Sequence, residues 1–243
     1  MTTAASLSFL FHPSRLYKER AMKVALCMSG QARGVVNGWP SICGNLLNPN
    51  SPDIFVHVWG DEAEKQVKAI SDLYKPVSMV VESQRHFMNS MIDVERQWNR
   101  YPHGCNRADF IDRTYSMQYS ILQANLVKER HRLANNIQYD CVIRARFDIS
   151  FSRAIECSSY DMSVIHLLDK CIPEMLDDRF AFGPTRLMNI YSAAFCLYDQ
   201  INKIRSAKDG IFCGETLLYE TLKSNGVAHR FIPNLQILRV PLE

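Results

Sequence analysis

Short apolar runs alternate with amphipathic stretches through the first third of the chain. Apolar residues dominate Lys23–Met28, Asp53–Trp59 and Val77–Glu82, and each run has the length of a buried strand. Between them, Trp39–Leu47 and Glu62–Leu73 have the composition and spacing of helices. The resulting β-α-β-α-β order predicts an open sheet with helices on both faces.

The longest helical pattern follows, at residues 114–135. Five large side chains at helical spacing predict one buried face, formed by Tyr115, Tyr119, Leu122, Leu126 and Leu133. The rest of the chain predicts strands at Tyr139–Ile149, Ser163–Leu168, Phe180–Gly183 and within Ala228–Val240, and helices at Thr185–Ile204 and Glu215–Ser224.

No linker, repeat or low-complexity segment divides the chain. We therefore expect one α/β domain over residues 22–243, an open mixed sheet flanked by helices, with residues 1–21 as a loosely attached extension. Residues 84–112 have no clean period and contain the loop signal Tyr101-Pro102-His103-Gly104, so we expect an excursion that covers the substrate.

Composition and charge exclude several classes of protein. A net charge of +3, from 28 basic against 25 acidic residues, is too balanced for a bulk nucleic-acid binder. No run approaches the roughly 18 apolar residues of a membrane span, and the N-terminus lacks the basic and long apolar regions of a signal peptide. No two cysteines have C-x-x-C spacing, so we expect reduced core thiols in a cytoplasmic protein.

The segment Arg144-Ala145-Arg146-Phe147-Asp148 carries the most suggestive chemistry. Strand alternation places Arg144, Arg146 and Asp148 on one face, at the end of a strand where open α/β sheets bind ligands. Two arginines beside one carboxylate suit a polyanion, with Asp148 holding a divalent metal or a sugar hydroxyl. An edge strand with a surface salt bridge is the alternative.

Two further segments offer ligand contacts next to the first two strands. Ser29, Gly30 and Arg33 lie in the loop after strand one, where glycine allows close approach and arginine can reach a phosphate. The loop is neither G-x-G-x-x-G nor a Walker sequence, which argues against those nucleotide sites. His57, between Phe55 and Trp59 on one face, suits a site role or a satisfied core histidine equally.

Two acidic positions are candidates for general base. Asp178, in Asp177-Asp178-Arg179, precedes a buried strand and either contacts the acceptor or lies in a solvated turn. Glu215 opens a helix, where it either complements the helix dipole or points into the cleft as a base. The chain contains no G-x-S-x-G, so a serine-hydrolase mechanism is not expected.

Five segments in this order resemble a known family: VALCMSGQAR (24–33), DIFVHVW (53–59), QYSILQAN (118–125), YDCVIRARFD (139–148) and DRFAFG (178–183). Together they are similar to small GT-A-like glycosyltransferases of polysaccharide gene clusters and of large viruses and phages. The resemblance spans roughly residues 22–225. It implies a Rossmann-like GT-A fold, a nucleotide-sugar donor, a glycan or other hydroxyl acceptor, and often Mn²⁺ or Mg²⁺.

The resemblance also implies roles for particular residues. The Asp-x-Asp motif that holds metal and diphosphate in GT-A enzymes corresponds here to Arg146-Phe147-Asp148, so Arg146 replaces the first acid. Glu215 corresponds to the base of inverting members, and Phe180–Gly183 to the strand that lines the acceptor side. Two alternatives stay open: a sugar-phosphate nucleotidyltransferase, and an inactive carbohydrate-binding scaffold.

Overall fold

The computed structural model describes residues 20–60, 63–85, 87, 107–168, 172–207 and 213–242. Within them a seven-stranded mixed sheet has the order β3-β2-β1-β4-β7-β6-β8. Its strands are β1 (Val24–Gln31), β2 (Asp53–Trp59), β3 (Ser78–Glu82), β4 (Cys141–Ala145), β6 (Ile165–Leu167), β7 (Phe180–Pro184) and β8 (His229–Phe231). A small two-stranded sheet pairs β5 (Ile149–Phe151) with β9 (Ile237–Arg239).

The four strands on one side of the main sheet run parallel, as the apolar runs predict. β1 lies between β2 and β4 and pairs in parallel with both, and β3 continues the sheet beyond β2. The chain thus adds β2 and β3 on one side of β1 and then crosses to add β4 on the other. β7 runs antiparallel to both β4 and β6, which makes the sheet mixed.

Helices cover both faces of the sheet. Their bounds are α1 (Val35–Ile42, continued by a π-helical turn at Cys43–Leu47 and by Asn48–Asn50), α2 (Glu64–Tyr74), α3 (Arg107–Ala134), α4 (Thr185–Ser192, continued by a 3₁₀ turn at Ala193–Leu197), α5 (Tyr198–Ala207) and α6 (Gly214–Ser224). One apolar core lies between the sheet and the helices α1 and α2. A second lies between the sheet and the helices α3, α4 and α6. Both predicted layers are therefore present.

The strand predicted over Tyr139–Ile149 is wrong in its extent. β4 ends at Ala145, and the next strand, β5, leaves the main sheet to pair with β9. Arg146 and Asp148 lie in the bend between the two strands and contact each other, whereas Arg144 stays inside β4 and is buried. The single charged face predicted for all three residues is therefore divided between strand β4, which holds Arg144, and the bend that follows it, which holds Arg146 and Asp148.

The predicted face of α3 also needs correction. Leu133 is 68% exposed, while Ile121, Ala124 and Val127 pack on the sheet. Polar residues share that buried side, since Gln118 and Asn125 are nearly inaccessible. Tyr115 and Tyr119 of the predicted face are buried, so the prediction is confirmed there and wrong at Leu133. It missed Ile121, Ala124 and Val127 because large apolar side chains outweigh small or polar residues that pack closely under a sheet.

Three further predictions concern the C-terminal run, the N-terminal extension and the expected excursion. The run at Ala228–Val240 forms two short strands, β8 and β9, in different sheets. The extension at residues 1–21 and the excursion at 84–112 lie largely outside the described residues.

Two further observations concern the state of the cysteines and the character of the helices. Cys27, Cys141, Cys157 and Cys213 are free and buried. No helix among the described residues combines the length and apolar character that crossing a membrane requires.

The close packing of α1 on the β4–β5 bend depends on Gly38. A methyl group at this position would overlap the backbone carbonyl oxygen of Phe147. We expect Gly38→Ala to lower the free energy of unfolding by about 1–3 kcal/mol, as overpacking in a rigid site does. Gly44→Ala is the matched control, because nothing lies near its added methyl group and alanine is favoured in helices by about 1 kcal/mol. Urea unfolding measures both, and equal stability of the two variants would contradict the packing assigned to Gly38.

Candidate functional site

Three charged residues that the sequence predicts as ligand contacts lie where the strand order reverses. β1 and β4 are neighbours, but the chain after β1 continues to one side and the chain after β4 to the other. The loops at their carboxyl ends therefore diverge, and open α/β sheets usually bind ligands in the crevice that such a reversal produces. Arg33 follows β1, and Arg146 and Asp148 follow β4, so all three lie at this crevice.

Asp148 is enclosed by guanidinium groups. Arg146 donates to both of its carboxylate oxygens at 2.7 Å, and the Arg33 Nε atom lies 3.4 Å from Oδ2. Burial alone would raise the pKa of Asp148, but the hydrogen bonds and charge of Arg146 and the charges of Arg33 and Arg239 hold the pKa below its ordinary value. Asp148 is therefore a buried anion whose two oxygens both have arginine partners.

Arg239 reaches this cluster from the C-terminal strand. β9 places Arg239 opposite Ile149, and the Val240 amide donates to the Asp148 carbonyl at 3.1 Å. The charge of Arg239 acts on both Asp148 and Arg33. Sequence analysis missed Arg239 because nothing in the run Ile237–Val240 indicates a partner so distant in sequence.

The segment before β7 arranges its two acids differently. The guanidinium of Arg179 binds both Asp177 oxygens, with its shortest contact at 2.7 Å, and its Nη1 atom donates to the Ile237 carbonyl at 3.3 Å. Asp177 thus closes a local turn that also holds β9. Asp178 instead interacts electrostatically with Arg144 and Glu215.

Asp178 and Glu215 are brought together by the start of α6. The Leu176 amide donates to the Glu215 carbonyl at 3.2 Å, which ties the segment before β7 to the helix. The Asp178 Oδ2 atom approaches Gly214 so closely that a methyl group there would lie 3.1 Å away. Burial and the neighbouring charge of Glu215 raise the pKa of Asp178 to about 6. Both candidate bases therefore belong to one coupled pair.

Arg144 is a buried cation beneath the site. Only 2% of the residue is exposed, and its Nη1 atom donates to the Arg179 carbonyl at 3.1 Å. Its Nε atom has no hydrogen-bond partner among the described residues. Burial lowers the pKa of Arg144, while the charge of Asp178 opposes that shift. Arg144 is thus placed to stabilise the anionic form of Asp178, and it does not face the crevice openly.

The remaining predicted ligand residues lie on β1 and β2, so the prediction that Ser29 and Gly30 belong to the loop after strand one is wrong, because β1 continues to Gln31. Ser29 is 4% exposed, and within the described structure its hydroxyl has no hydrogen-bond partner. Gly30 has a φ of 118°, a backbone conformation that favours glycine. His57 is fully buried, its Nδ1 atom lies 2.7 Å from the Ser120 hydroxyl, and burial lowers its pKa to about 4. His57 is therefore neutral near pH 7 and belongs to the packed layer between β2 and α3.

The predicted metal position fits a cation poorly. A metal at Asp148 would have to displace Arg146, which binds both carboxylate oxygens, and would face the charge of Arg33. In the described part of the chain, no group of three or more His, Cys, Asp and Glu side chains is arranged to hold a metal ion. We derive no step through a metal, and the expected Mn²⁺ or Mg²⁺ stays a prediction.

No model of a known protein family matches this chain, and no curated protein matches its sequence. Two charged clusters lie at the carboxyl edge of β4: Arg33 and Arg146 around Asp148, and Asp178 with Glu215. The strand register places the segments that carry the two clusters at the same edge, because Ala145 at the end of β4 pairs with Phe180 at the start of β7.

The raised pKa of Asp178 predicts a pH-dependent stability. The folded state binds this proton more tightly than the unfolded state, whose aspartate titrates near 3.8. The free energy of unfolding contributed by Asp178 is therefore highest at low pH and falls as pH rises through about 4 to 6. We expect Asp178→Asn to exceed the parent in stability by about 1–3 kcal/mol at pH 7.5, and by much less at pH 4. Urea unfolding of both proteins at the two pH values tests this, and a gap that does not change with pH would contradict the assignment.

Proposed function

We propose that this protein is a glycosyltransferase that moves a sugar from a nucleotide-diphosphate donor to a hydroxyl group of a glycan or another acceptor. One observation carries the proposal: an arginine cluster and a coupled carboxylate pair lie at the same carboxyl edge of the sheet, beside the point where the strand order reverses. Glycosyl transfer requires both an anion-stabilising group for the leaving diphosphate and a base for the acceptor.

The arginines meet the first requirement. Arg33 and Arg146 converge on Asp148 at the crevice, and the Arg33 side chain remains 38% exposed. Guanidinium groups bind phosphate oxygens in a bidentate manner and stabilise charge that develops on a leaving group. The negative charge of the diphosphate increases as the bond to the sugar breaks, so interactions with these arginines strengthen toward the transition state.

The carboxylate pair meets the second requirement. A pKa near 6 leaves Asp178 mostly ionised at neutral pH and makes it a stronger base than an ordinary aspartate. Glu215 contributes to that shift through its charge. In the proposed inverting mechanism, Asp178 accepts the proton of the acceptor hydroxyl while the diphosphate leaves from the other side of the sugar.

The assignment of a GT-A-like fold is part of the same proposal. A GT-A-like arrangement is supported by the antiparallel strand β7, which pairs with the charged strand β4 and brings Asp178 to the acceptor side of the crevice. Buried free thiols at Cys27 and Cys141 support a reducing, cytoplasmic setting. A role in polysaccharide assembly is the cellular process that this reaction class suggests.

Incubation of the protein with a panel of nucleotide sugars and oligosaccharides tests the proposal. We expect release of a nucleoside diphosphate from one donor, and a glycosylated acceptor in the same reaction. Release of pyrophosphate from a nucleoside triphosphate and a sugar phosphate would indicate a nucleotidyltransferase instead. Binding of oligosaccharide without turnover of any donor would indicate a carbohydrate-binding scaffold.

The two carboxylates should differ in their kinetic effects. We expect Asp178→Asn to reduce kcat by about 10²-fold or more with donor affinity unchanged, as loss of a general base does. Glu215→Gln removes the charge that raises the Asp178 pKa, so the acidic limb of the pH–rate profile should move to lower pH with a smaller loss of kcat. Steady-state kinetics across pH measure both effects. A larger loss in Glu215→Gln, with an unmoved profile, would assign the base to Glu215.

A further inference from the structure

The cluster at the crevice carries more positive charge than its own carboxylate can neutralise. Arg33, Arg146 and Arg239 all act on Asp148, which is the acid that pairs with Arg146 and Arg33 in the described structure. The charges of Asp177 and Asp178 also act on Arg146, whereas Arg33 faces the charges of Arg146 and Arg239 with Asp148 opposing them, and burial together with the two arginine charges lowers the pKa of Arg33. An anionic ligand bound beside Arg33 would offset this repulsion.

We propose that Arg33, Arg146 and Arg239 form a triad that binds the diphosphate of the donor without a divalent cation. The inference rests on the proposed glycosyl transfer and deepens it by assigning the group that replaces a metal. Asp148 is then a positioning residue: its two oxygens hold the Arg146 guanidinium at 2.7 Å, so that its remaining N–H groups are available to the ligand.

The C-terminal strand gives Arg239 a fixed position in this triad. β9 pairs with β5 directly after Asp148, and the Asn37 side chain donates to the Pro241 carbonyl at 3.1 Å. Val240 also packs against Gly34, whose φ of 62° and lack of a side chain allow this approach. Arg239 itself is exposed, so a ligand in the crevice can reach it. The strand pairing thus fixes the backbone position of Arg239, while Arg146, whose guanidinium is already held by Asp148, loses little side-chain freedom on binding.

Isothermal titration with inorganic pyrophosphate tests the triad independently of turnover and of the unknown base and sugar. We expect binding in the presence of EDTA, with affinity that is unchanged or weaker when Mn²⁺ or Mg²⁺ is added, because the cation reduces the charge of the ligand. Binding that appears only with the divalent cation would overturn the proposal.

Two variants and one control make the test specific. We expect Arg33→Ala and Arg239→Ala each to weaken pyrophosphate binding in EDTA by about 10- to 100-fold, the range of a hydrogen bond between charged groups. Arg230→Ala is the control, because Arg230 is an exposed arginine paired with Asp161 on the outermost strand, β8, and its variant should bind like the parent. Unchanged affinity in both Arg33→Ala and Arg239→Ala would refute the triad.

Asp148→Asn separates a positioning residue from a metal ligand. It removes one of the two oxygens that hold the Arg146 guanidinium, so we expect pyrophosphate affinity in EDTA to fall and Mn²⁺ to add no further loss, whereas a metal ligand would show no effect in EDTA and a large loss with Mn²⁺. Circular dichroism establishes folding, and Arg239→Ala decides the question if Asp148→Asn unfolds. Donor turnover without cation-free pyrophosphate binding would refute the triad alone, and pyrophosphate binding without any donor turnover would refute the proposed function.

Discussion

The bidentate pair between Arg146 and Asp148 fixes the point at which the chain leaves the main sheet. Each oxygen of Asp148 accepts from the same guanidinium, so the bend between β4 and β5 has one geometry. Three other segments contact this bend. Gly38 packs on the Phe147 backbone, Arg33 approaches the Asp148 carboxylate, and the Val240 amide donates to the Asp148 carbonyl. Hydrogen-bonded ion pairs of this kind combine strength with a defined direction, which isolated surface pairs lack.

A second electrostatic relation connects the two sides of the crevice. Asp178 and Glu215 repel each other, and Arg144 beneath them supplies the opposite charge. A buried anion pair without such a cation would be protonated or expelled toward water. Arg144 therefore lets two acids approach within a poorly solvated region while one of them keeps a pKa close to neutral. This is an arrangement that enzymes use for proton transfer, at the expense of stability.

The sequence predicts the layered α/β fold well because its parallel strands are short, continuous apolar runs, such as those ending at Met28 and Trp59. The strand predicted over Tyr139–Ile149 extends too far past Ala145, because the alternation of apolar and polar residues continues from β4 into β5 and no glycine or proline marks the bend. The sequence places Arg33, Asp148, Asp178 and Glu215 among the candidates, because each lies at the end of an apolar element. Arg239 escapes notice because its contacts depend on the pairing of β9, which no local pattern encodes.

The pairing of β5 with β9 has a consequence for the order of events during synthesis. Asn37 and Pro241, which join α1 to the C-terminal segment, are 204 residues apart in the chain. The ribosome releases the parallel half of the sheet long before β9 exists, so the nascent protein spends that interval with an incomplete crevice and an unpaired β5 edge. Contacts between such distant segments form late and slowly, and an open edge invites pairing with other chains. The cluster around Asp148 thus gains its contacts with Arg239 and Val240 only when β9 joins β5.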